Sequence, residues 1–300
     1  MAKVLICDSV DAQAVEAMRA AGVEVDVRDT ITLDELGQVI GGYDGIVVRS
    51  RTKVRAPLLQ NPGQLKLIIR GGVGVDSIDV DVAESKGIKV INTPNASSNA
   101  VAELALAMMF SLARSLAWAD ATMKAGKWEK KKLEGVELAG KTLGVIGYGR
   151  IGRLLGEKAR ALGMTVVAYD PYIQSADLVS LDELLAAADY VSLHIPHTPE
   201  THNLLGAAQF AQMKKGACLV NAARGGTVDE DALYDALVSG HLAGAALDVF
   251  TEEPPQSESL KKLIALPQVI ATPHIGAATV EAQERIGGEI VKLVQEYLAA

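Results

Sequence analysis

The sequence lacks paired cysteines, long uninterrupted apolar runs and an excess of positive charge. Cys7 and Cys218 are the only two cysteines among its 300 residues. Their wide separation supports neither a disulfide framework nor a structural zinc site. We therefore expect no metal and a reducing compartment, the cytoplasm.

No stretch of the chain is predicted to enter a membrane. Residues 1–8 contain an apolar run too short for a signal peptide, so we predict a first strand there. The most apolar stretch, residues 100–119, is interrupted by Glu103 and Arg114, and such charges are costly in lipid. We interpret this stretch as a buried helix.

The net charge of -8 argues against a nucleic-acid partner, because affinity for a phosphate backbone depends on clustered lysine and arginine. The single basic cluster, residues 127–132, is short. We interpret it as a solvated loop.

Short β-branched runs alternate with helical patterns, which predicts an α/β fold with parallel sheets. A chain of 300 residues favours two domains, and the strand pattern restarts near residue 142, so we predict two doubly wound sheets. The strands of the first are Lys3–Cys7, Glu24–Val27, Gly45–Val48, Lys66–Ile69 and Lys89–Ile91. The strands of the second are Thr142–Ile146, Thr165–Tyr169, Tyr190–His194, Cys218–Asn221, Ala245–Val249 and Val269–Ala271.

Two longer helices border the second set of strands. Residues 99–116 predict a helix capped by Asn99, with apolar residues on more than one face, which is typical of a domain connector or a subunit interface. Residues 279–298 predict an amphipathic helix that crosses back onto the first domain. We therefore predict one domain of residues 1–97 and 276–300, and a second of residues 98–275.

A glycine-rich turn follows the first strand of the second sheet. Gly147, Gly149 and Gly152 form the pattern G-x-G-x-x-G between a predicted strand and a predicted helix. These glycines allow a tight turn, close approach of a pyrophosphate and close helix packing. Asp170 ends the next strand, where a carboxylate binds ribose hydroxyls and disfavours a 2′-phosphate. The pattern predicts NAD rather than NADP as cofactor; a purely structural turn is the alternative.

A second glycine pattern, in residues 135–142, matches a phosphate-binding P-loop in sequence. A P-loop follows a strand and opens a helix. This segment follows a polar loop and opens a strand, so we interpret the match as accidental.

Arg224, Glu253 and His274 each follow a predicted strand of the second sheet, at the edge where open parallel sheets bind ligands. A guanidinium can bind the carboxylate and carbonyl oxygens of a 2-oxo acid. A protonated histidine can donate a proton to the oxygen that becomes a hydroxyl, and a neighbouring carboxylate favours the charged ring. Singly, each residue has an ordinary surface interpretation. Together they predict hydride transfer to or from a small 2-hydroxy or 2-oxo acid.

The other histidines carry weaker signals. His194 ends a predicted strand and is expected to face the cofactor, whereas His197, His202 and His241 are interpreted as ordinary loop or helix-end residues. No two of these histidines have the helical spacing of metal ligands together with a third ligand residue, so no metal site is predicted.

Long strings of the sequence resemble the D-isomer-specific 2-hydroxyacid dehydrogenases, and most closely the members that oxidise 3-phosphoglycerate. The strings are residues 72–76, 92–95, 126–132, 147–152, 221–230, 244–254 and 272–277. The resemblance implies a Rossmann NAD-binding domain inserted into a flavodoxin-like substrate-binding domain. It also implies a homodimer built on helix 99–116 and the arm that follows it, with a tetramer as the alternative.

The resemblance further implies roles for individual residues. It assigns catalysis to Arg224, Glu253 and His274. It implies cofactor contacts from Gly147, Gly149, Arg150, Ile151, Gly152, Asp170, His194, Ile195, Pro196, Ala222, Ala223, Asp248, His274, Gly276 and Ala277, with Asp248 beneath the nicotinamide carboxamide. It implies substrate contacts from Arg49, Arg51, Arg70, Val73, Gly74 and Arg224.

These implications define an expected reaction. We expect reversible hydride transfer between NAD and 3-phosphoglycerate, giving 3-phosphohydroxypyruvate, as the first step of serine synthesis. Because the sequence ends after its last helix, we expect no C-terminal regulatory domain. An unphosphorylated acid such as glycerate, glyoxylate or lactate is the alternative within the class. A non-catalytic NAD-sensing protein is the alternative outside it.

Overall fold

The computed structural model describes residues 1–173 and 178–298, and the chain divides into two compact units. The first comprises Met1–Ser97 and Ala277–Ala300, and the second Ser98–Gly276. Each unit contains one parallel β-sheet with helices packed on it. The predicted fold class is confirmed.

The first unit contains a five-stranded parallel sheet with the order β2-β1-β3-β4-β5. Its strands are β1 (Lys3–Ile6), β2 (Glu24–Val27), β3 (Gly45–Val48), β4 (Leu67–Arg70) and β5 (Lys89–Asn92). Its helices are α1 (Ala12–Ala20), α2 (Leu33–Val39), α3 (Val80–Ser85) and α11 (Val280–Leu298). This order is that of flavodoxin-like sheets, which bind ligands at strand ends near the point where the order reverses.

The last helix completes the core of the first unit. Ile286, Ile290 and Val294 lie at helical spacing on one face of α11 and are fully buried against the sheet residues. Full burial of each such side chain contributes about 1.5–3 kcal/mol. The C-terminal helix therefore belongs to the same hydrophobic core as the N-terminal strands.

The second unit contains a six-stranded parallel sheet with the order β11-β10-β9-β8-β6-β7. Its strands are β6 (Thr142–Ile146), β7 (Thr165–Tyr169), β8 (Tyr190–Leu193), β9 (Cys218–Asn221), β10 (Gly244–Leu247) and β11 (Val269–Ala271). Its helices are α4 (Ser98–Arg114), α5 (Leu116–Lys124), α6 (Arg150–Ala161), α7 (Leu181–Ala187), α8 (Ala207–Gln212), α9 (Glu230–Val238) and α10 (Glu258–Ile264). The strand order reverses between β6 and β8, which is the place where such sheets bind ligands.

The strands of the second sheet are buried on both faces. Val220 contributes to one apolar cluster, while Leu219, its neighbour on β9, contributes to the other. This alternation is the two-residue period of a strand. Helices cover both faces of the sheet. The polar residues that follow the parallel strands therefore lie together at the carboxyl-terminal end of the sheet.

Two expectations about residues 99–116 need correction. Asn99 is not the cap of the helix, because α4 begins at Ser98 and the Asn99 amide donates to Glu103 Oε1 at 2.8 Å. The helix also ends earlier than predicted, because Ser115 adopts a left-handed φ of 48°.

Helices α4 and α5 bend by 65° at this break. In the described parts of the chain, no single helix is long and apolar enough to span a membrane. The bent pair meets the criteria of length and composition only when its two helices are counted together.

Candidate active site

The turn between β6 and α6 has the geometry of a dinucleotide cradle. Gly147 has a φ of +92°, and a β-carbon on Gly152 would lie 2.2 Å from the Gly147 carbonyl oxygen, so both positions require glycine. At Gly149, in contrast, an added β-carbon would meet nothing within 4 Å. This open space adjoins the N-terminus of α6, where backbone amides can bind a pyrophosphate. Arg150 and Ile151 begin the helix at the same turn.

Asp170 is held beside the glycine turn by two backbone amides. Its Oδ2 accepts the N–H of Tyr148, and its Oδ1 accepts the N–H of Tyr172, each at 2.9 Å. A carboxylate oxygen that accepts one hydrogen bond retains capacity for another from a ribose hydroxyl. The glycine turn and Asp170 therefore fit NAD.

The segment after β8 lies against the same turn. A β-carbon on Gly147 would lie 2.6 Å from the His194 carbonyl oxygen and 2.8 Å from a methyl group of Ile195. The His194 Nε2 is hydrogen-bonded to the Ser192 hydroxyl at 2.9 Å. Burial lowers the pKa of His194 to about 4, so the ring is neutral at neutral pH. Pro196 follows in the same loop and is exposed.

His274 and Glu253 form a hydrogen-bonded pair after β11 and β10. His274 Nδ1 lies 2.8 Å from Glu253 Oε2, and His274 has a left-handed φ of 54°. Burial alone would raise the pKa of Glu253, but the hydrogen bond and charge of His274, the Phe250 amide and the Arg224 charge together lower it. The carboxylate therefore accepts the hydrogen bond from His274 Nδ1, which leaves the other ring nitrogen to exchange a proton with a substrate.

The buried carboxylate of Asp248 organises the loop that carries His274. Its Oδ1 accepts the Thr272 hydroxyl at 2.5 Å and the Ile275 N–H at 2.8 Å, and its Oδ2 accepts the Gly276 N–H at 2.8 Å. The His274 N–H also donates to the Asp248 carbonyl at 2.9 Å. These bonds hold His274 in its uncommon backbone conformation. Sequence reasoning missed Thr272, although it directly follows a strand.

Arg224 is presented by a turn that the Asn221 side chain braces. Asn221 Oδ1 accepts the Ala223 N–H at 3.1 Å, and Asn221 Nδ2 donates to the Arg224 carbonyl at 3.1 Å. Arg224 Nη1 in turn donates to the Ala223 carbonyl at 2.6 Å. Ala222 and Ala223 are buried in this turn. Sequence reasoning missed Asn221, whose signal is its position as the last residue of β9.

The three predicted arginines of the first unit have different surroundings. Arg49 follows β3 and donates to Gln283 Oε1 and to the Ser9 carbonyl. Arg70 ends β4 and donates to the Gly71 carbonyl at 3.1 Å and to the Ser50 hydroxyl at 3.5 Å. The hydrogen bonds of the Arg49 guanidinium, and these two of Arg70, therefore involve neutral oxygens.

Arg51, in contrast, is paired with a buried acid. Its Nε lies 3.0 Å from Asp8 Oδ1, and its other nitrogens donate to the Ile31 and Cys7 carbonyls. Asp8 also accepts the backbone N–H of Thr52. Arg51 therefore holds the loop after β3 in place.

The loop after β4 contains Val73 and Gly74 and is held by β5. The Gly72 N–H donates to Thr93 Oγ1 at 2.7 Å, and Asn92 Nδ2 donates to the Val73 carbonyl. Sequence reasoning assigned no role to Asn92 or Thr93, although both lie in the string 92–95 that carries the resemblance.

The remaining histidines pair with protein groups. His197 Nε2 lies 3.2 Å from His202 Nδ1, and His241 Nε2 contacts the carbonyls of Phe210 and Met213. Within residues 1–173 and 178–298, no group of three or more histidine, cysteine and acidic side chains is arranged to hold a metal ion.

A glycine cradle at a reversal of strand order, with arginine, glutamate and histidine at neighbouring strand ends, defines the second unit as a nucleotide-dependent oxidoreductase domain. Residues 106–276 match the family described as D-isomer specific 2-hydroxyacid dehydrogenase, NAD binding domain. The chain belongs to this family. It is an NAD-dependent D-2-hydroxyacid dehydrogenase, as predicted.

Three relatives illustrate the similarity. A hydroxypyruvate reductase of Thermotoga maritima is 47% identical over 301 residues, covering 99% of this chain and 98% of the relative. A D-3-phosphoglycerate dehydrogenase of Archaeoglobus fulgidus is 46% identical over 292 residues, covering 95% of this chain but only 55% of that protein's length. The crystal structure of D-lactate dehydrogenase from Aquifex aeolicus, complexed with NAD and lactic acid, superposes with a TM-score of 0.86 at 32% identity, covering 99% of this chain and 95% of that one. The relatives' names differ in the acid, so the family defines the reaction class rather than the substrate.

Proposed function

We propose that this enzyme interconverts 3-phosphoglycerate and 3-phosphohydroxypyruvate with NAD, as the first step of serine synthesis. The observation that carries this choice of substrate is the Arg49 guanidinium. It is partly buried, and its hydrogen-bond partners, Gln283 and the Ser9 carbonyl, are neutral.

Among the residues that the structure describes, the Arg49 guanidinium forms no ion pair. The nearby buried acid, Asp8, is paired with the Arg51 guanidinium and accepts the backbone N–H of Arg49. Burial lowers the pKa of Arg49, although the charge of Asp8 opposes this effect; an arginine nevertheless stays charged in a protein. A partly buried cation with neutral partners gains most from an incoming anion. We therefore propose that Arg49, with Arg70, binds the substrate phosphate and that Arg51 has a structural role.

The residues of the second unit supply the chemistry. The glycine turn and Asp170 would hold NAD, which would supply the hydride acceptor for the alcohol and, when reduced, the hydride donor for the ketone. The Arg224 guanidinium orients the carboxylate and carbonyl oxygens of the substrate. In reduction, His274 donates a proton to the carbonyl oxygen; in oxidation, it accepts the hydroxyl proton. The Glu253 carboxylate stabilises the protonated ring.

We propose the remaining substrate and cofactor contacts as the family resemblance implies them. The substrate carboxylate is bound by the backbone amides near Val73 and Gly74. The cofactor is held by the glycine turn and by the residues that follow the strands of the second sheet. These are Gly147, Gly149, Arg150, Ile151, Gly152, Asp170, His194, Ile195, Pro196, Ala222, Ala223, Asp248 and Gly276, together with Ala277, the first residue of the returning chain.

The test compares kcat/KM for four ketones: 3-phosphohydroxypyruvate, hydroxypyruvate, glyoxylate and pyruvate, with NADH oxidation as the readout. We expect the phosphorylated ketone to be preferred. Arg49→Gln should lower its kcat/KM by about 10–100-fold, because a hydrogen bond to a charged group contributes about 1.5–3 kcal/mol. The value for hydroxypyruvate should change little.

Arg55→Gln is the matched control, because Arg55 lies in the same unit but is paired with Asp79 at 2.9 Å. It should leave every kcat/KM near the wild-type value. A preference for an unphosphorylated ketone would move the enzyme to another branch of the family. An absence of turnover with all four would favour the NAD-sensing alternative.

We also propose that the enzyme is a homodimer formed through α4, α5 and the following arm. Large apolar side chains are exposed along these segments: Phe110, Leu116, Met123, Trp128 and Val136. Their concentration in these consecutive segments is the support for a protein interface here. Light scattering should give the mass of a dimer, and the Met123→Glu variant should shift that mass toward the monomer. A monomeric wild type would overturn the assignment, and a tetramer would require a further interface.

A cytoplasmic location is proposed on the basis of the cysteines. Cys7 and Cys218 are both buried free thiols, which is consistent with a reducing compartment. Cell fractionation tests the location directly.

A further inference from the structure

We propose that Gln283 is a positioning residue that fixes the Arg49 guanidinium without neutralising its charge. The proposal rests on the proposed function, in which Arg49 binds the substrate anion. It concerns how the first unit keeps that charge available.

Both polar atoms of the Gln283 side chain form hydrogen bonds. Its Oε1 accepts a hydrogen bond from Arg49 Nη1, and its Nε2 donates to the Ala277 carbonyl at 2.7 Å. Because only the oxygen accepts and only the nitrogen donates, these two partners define the orientation of the amide. The oxygen that faces Arg49 is therefore held by the backbone of the segment that leads into α11.

The choice of an amide has an electrostatic consequence. The neighbouring arginines of the first unit, Arg51 and Arg55, are paired with the carboxylates of Asp8 and Asp79. Arg49 is instead matched to a neutral oxygen, although α11 carries four glutamates along its length. A carboxylate at position 283 would occupy Arg49 as a permanent ion pair and would repel an incoming anion.

Fixing Arg49 also favours binding for a second reason. A long arginine side chain that is already ordered loses less conformational freedom when its ligand arrives. Gln283 thus supplies order without charge compensation, which is the combination that an anion-binding arginine requires.

The test uses Gln283→Glu, which preserves size and the facing oxygen, and Gln283→Ala, which removes the contact. Steady-state KM and kcat are measured for 3-phosphohydroxypyruvate, and the Kd for NADH is measured by fluorescence. We expect Gln283→Glu to raise KM by about ten-fold or more, since loss of one charge-assisted contact is of that order. Gln283→Ala should raise KM by a smaller factor, and both variants should keep kcat and the NADH Kd near wild type.

Gln295→Glu is the matched control, because it makes the same chemical change at an exposed position of the same helix. It should not alter KM. In an Arg49→Gln background, Gln283→Glu should add little to KM, because the charge through which it acts is gone. A melting temperature for each variant separates loss of folding from loss of binding.

The outcomes distinguish the two proposals. If Arg49→Gln leaves KM unchanged, the assignment of Arg49 to the substrate fails, and the role of Gln283 fails with it. If Arg49→Gln raises KM but neither Gln283 variant does, only the positioning role is overturned. An equal rise in KM for Gln283→Glu and Gln295→Glu would also overturn it, because a general charge effect would then suffice.

Discussion

Replacing His274 with alanine is expected to lower kcat for ketone reduction by about 10²–10⁴-fold, the usual contribution of a general acid. The expectation rests on the hydrogen bond between His274 Nδ1 and Glu253 Oε2 at 2.8 Å. This bond leaves the other ring nitrogen to exchange a proton with the substrate. NADH should still bind, because the glycine turn and Asp170 are untouched and His274 is only one of the expected cofactor contacts.

The measurement combines steady-state NADH oxidation with a fluorescence titration of NADH. His202→Ala is the control, since His202 is an exposed histidine of the same unit whose ring is hydrogen-bonded to His197. Wild-type turnover in the His274 variant would remove this residue from the mechanism. Loss of NADH binding instead would point to a structural defect.

The pH profile of the wild-type enzyme tests the same role of His274 as proton donor and acceptor. Reduction requires a protonated His274 and should weaken as pH rises, whereas oxidation requires the neutral ring and should strengthen. The interactions of Glu253 lower its pKa, so its carboxylate is ionised to a lower pH than an ordinary glutamate and presents a negative charge to the His274 ring. Glu253→Gln should therefore shift the decline of reduction to lower pH. A decline at the same pH in both proteins would contradict this role.

Alanine substitutions at Gly149 and Gly152 are expected to impair different properties: NADH affinity at Gly149 and stability at Gly152. A β-carbon on Gly152 would lie 2.2 Å from the Gly147 carbonyl oxygen, so the backbone must shift, at a cost of about 1–3 kcal/mol in stability. A β-carbon on Gly149 meets no protein atom within 4 Å, so the Gly149→Ala protein should melt like wild type. Its methyl group would occupy the space beside the pyrophosphate, and the NADH Kd should rise by about ten-fold or more.

Melting temperature and NADH titration separate these effects. Gly288→Ala is a suitable control, because Gly288 lies in α11 with open space around its α-carbon and far along the sequence from the turn. It should leave NADH affinity unchanged and raise stability slightly, because alanine is favoured over glycine in a helix. Normal NADH binding by the Gly149 variant would show that the pyrophosphate is held elsewhere.

Local patterns in the sequence were sufficient for the fold class, and they were the basis for proposing which positions carry the chemistry. The spacing of apolar residues in a strand or helix follows from which of its faces is buried, and this spacing can be recognised within a few residues. The glycine turn is equally local, because its three glycines lie within one strand-turn-helix unit at a fixed spacing. Arg224, Glu253 and His274 could be named because parallel strands bring the residues after them to one edge.

The capping of α4 could not be predicted in this way. Asn99 is a suitable cap by residue type, but it lies inside the helix and its amide donates to Glu103, one turn further along. The break at Ser115 was also missed, because a left-handed serine between two helical patterns leaves no distinct mark on the apolar period.

By itself, the sequence determined two parallel sheets, a dinucleotide turn and a set of polar residues at strand ends. Only the tertiary structure decided how charge is distributed among the arginines. Arg51 is neutralised by Asp8, whereas Arg49 meets the neutral amide of Gln283 across a sequence separation of 234 residues. The physical reason is that an ion pair depends on distances of a few ångströms in space, which local sequence patterns do not encode.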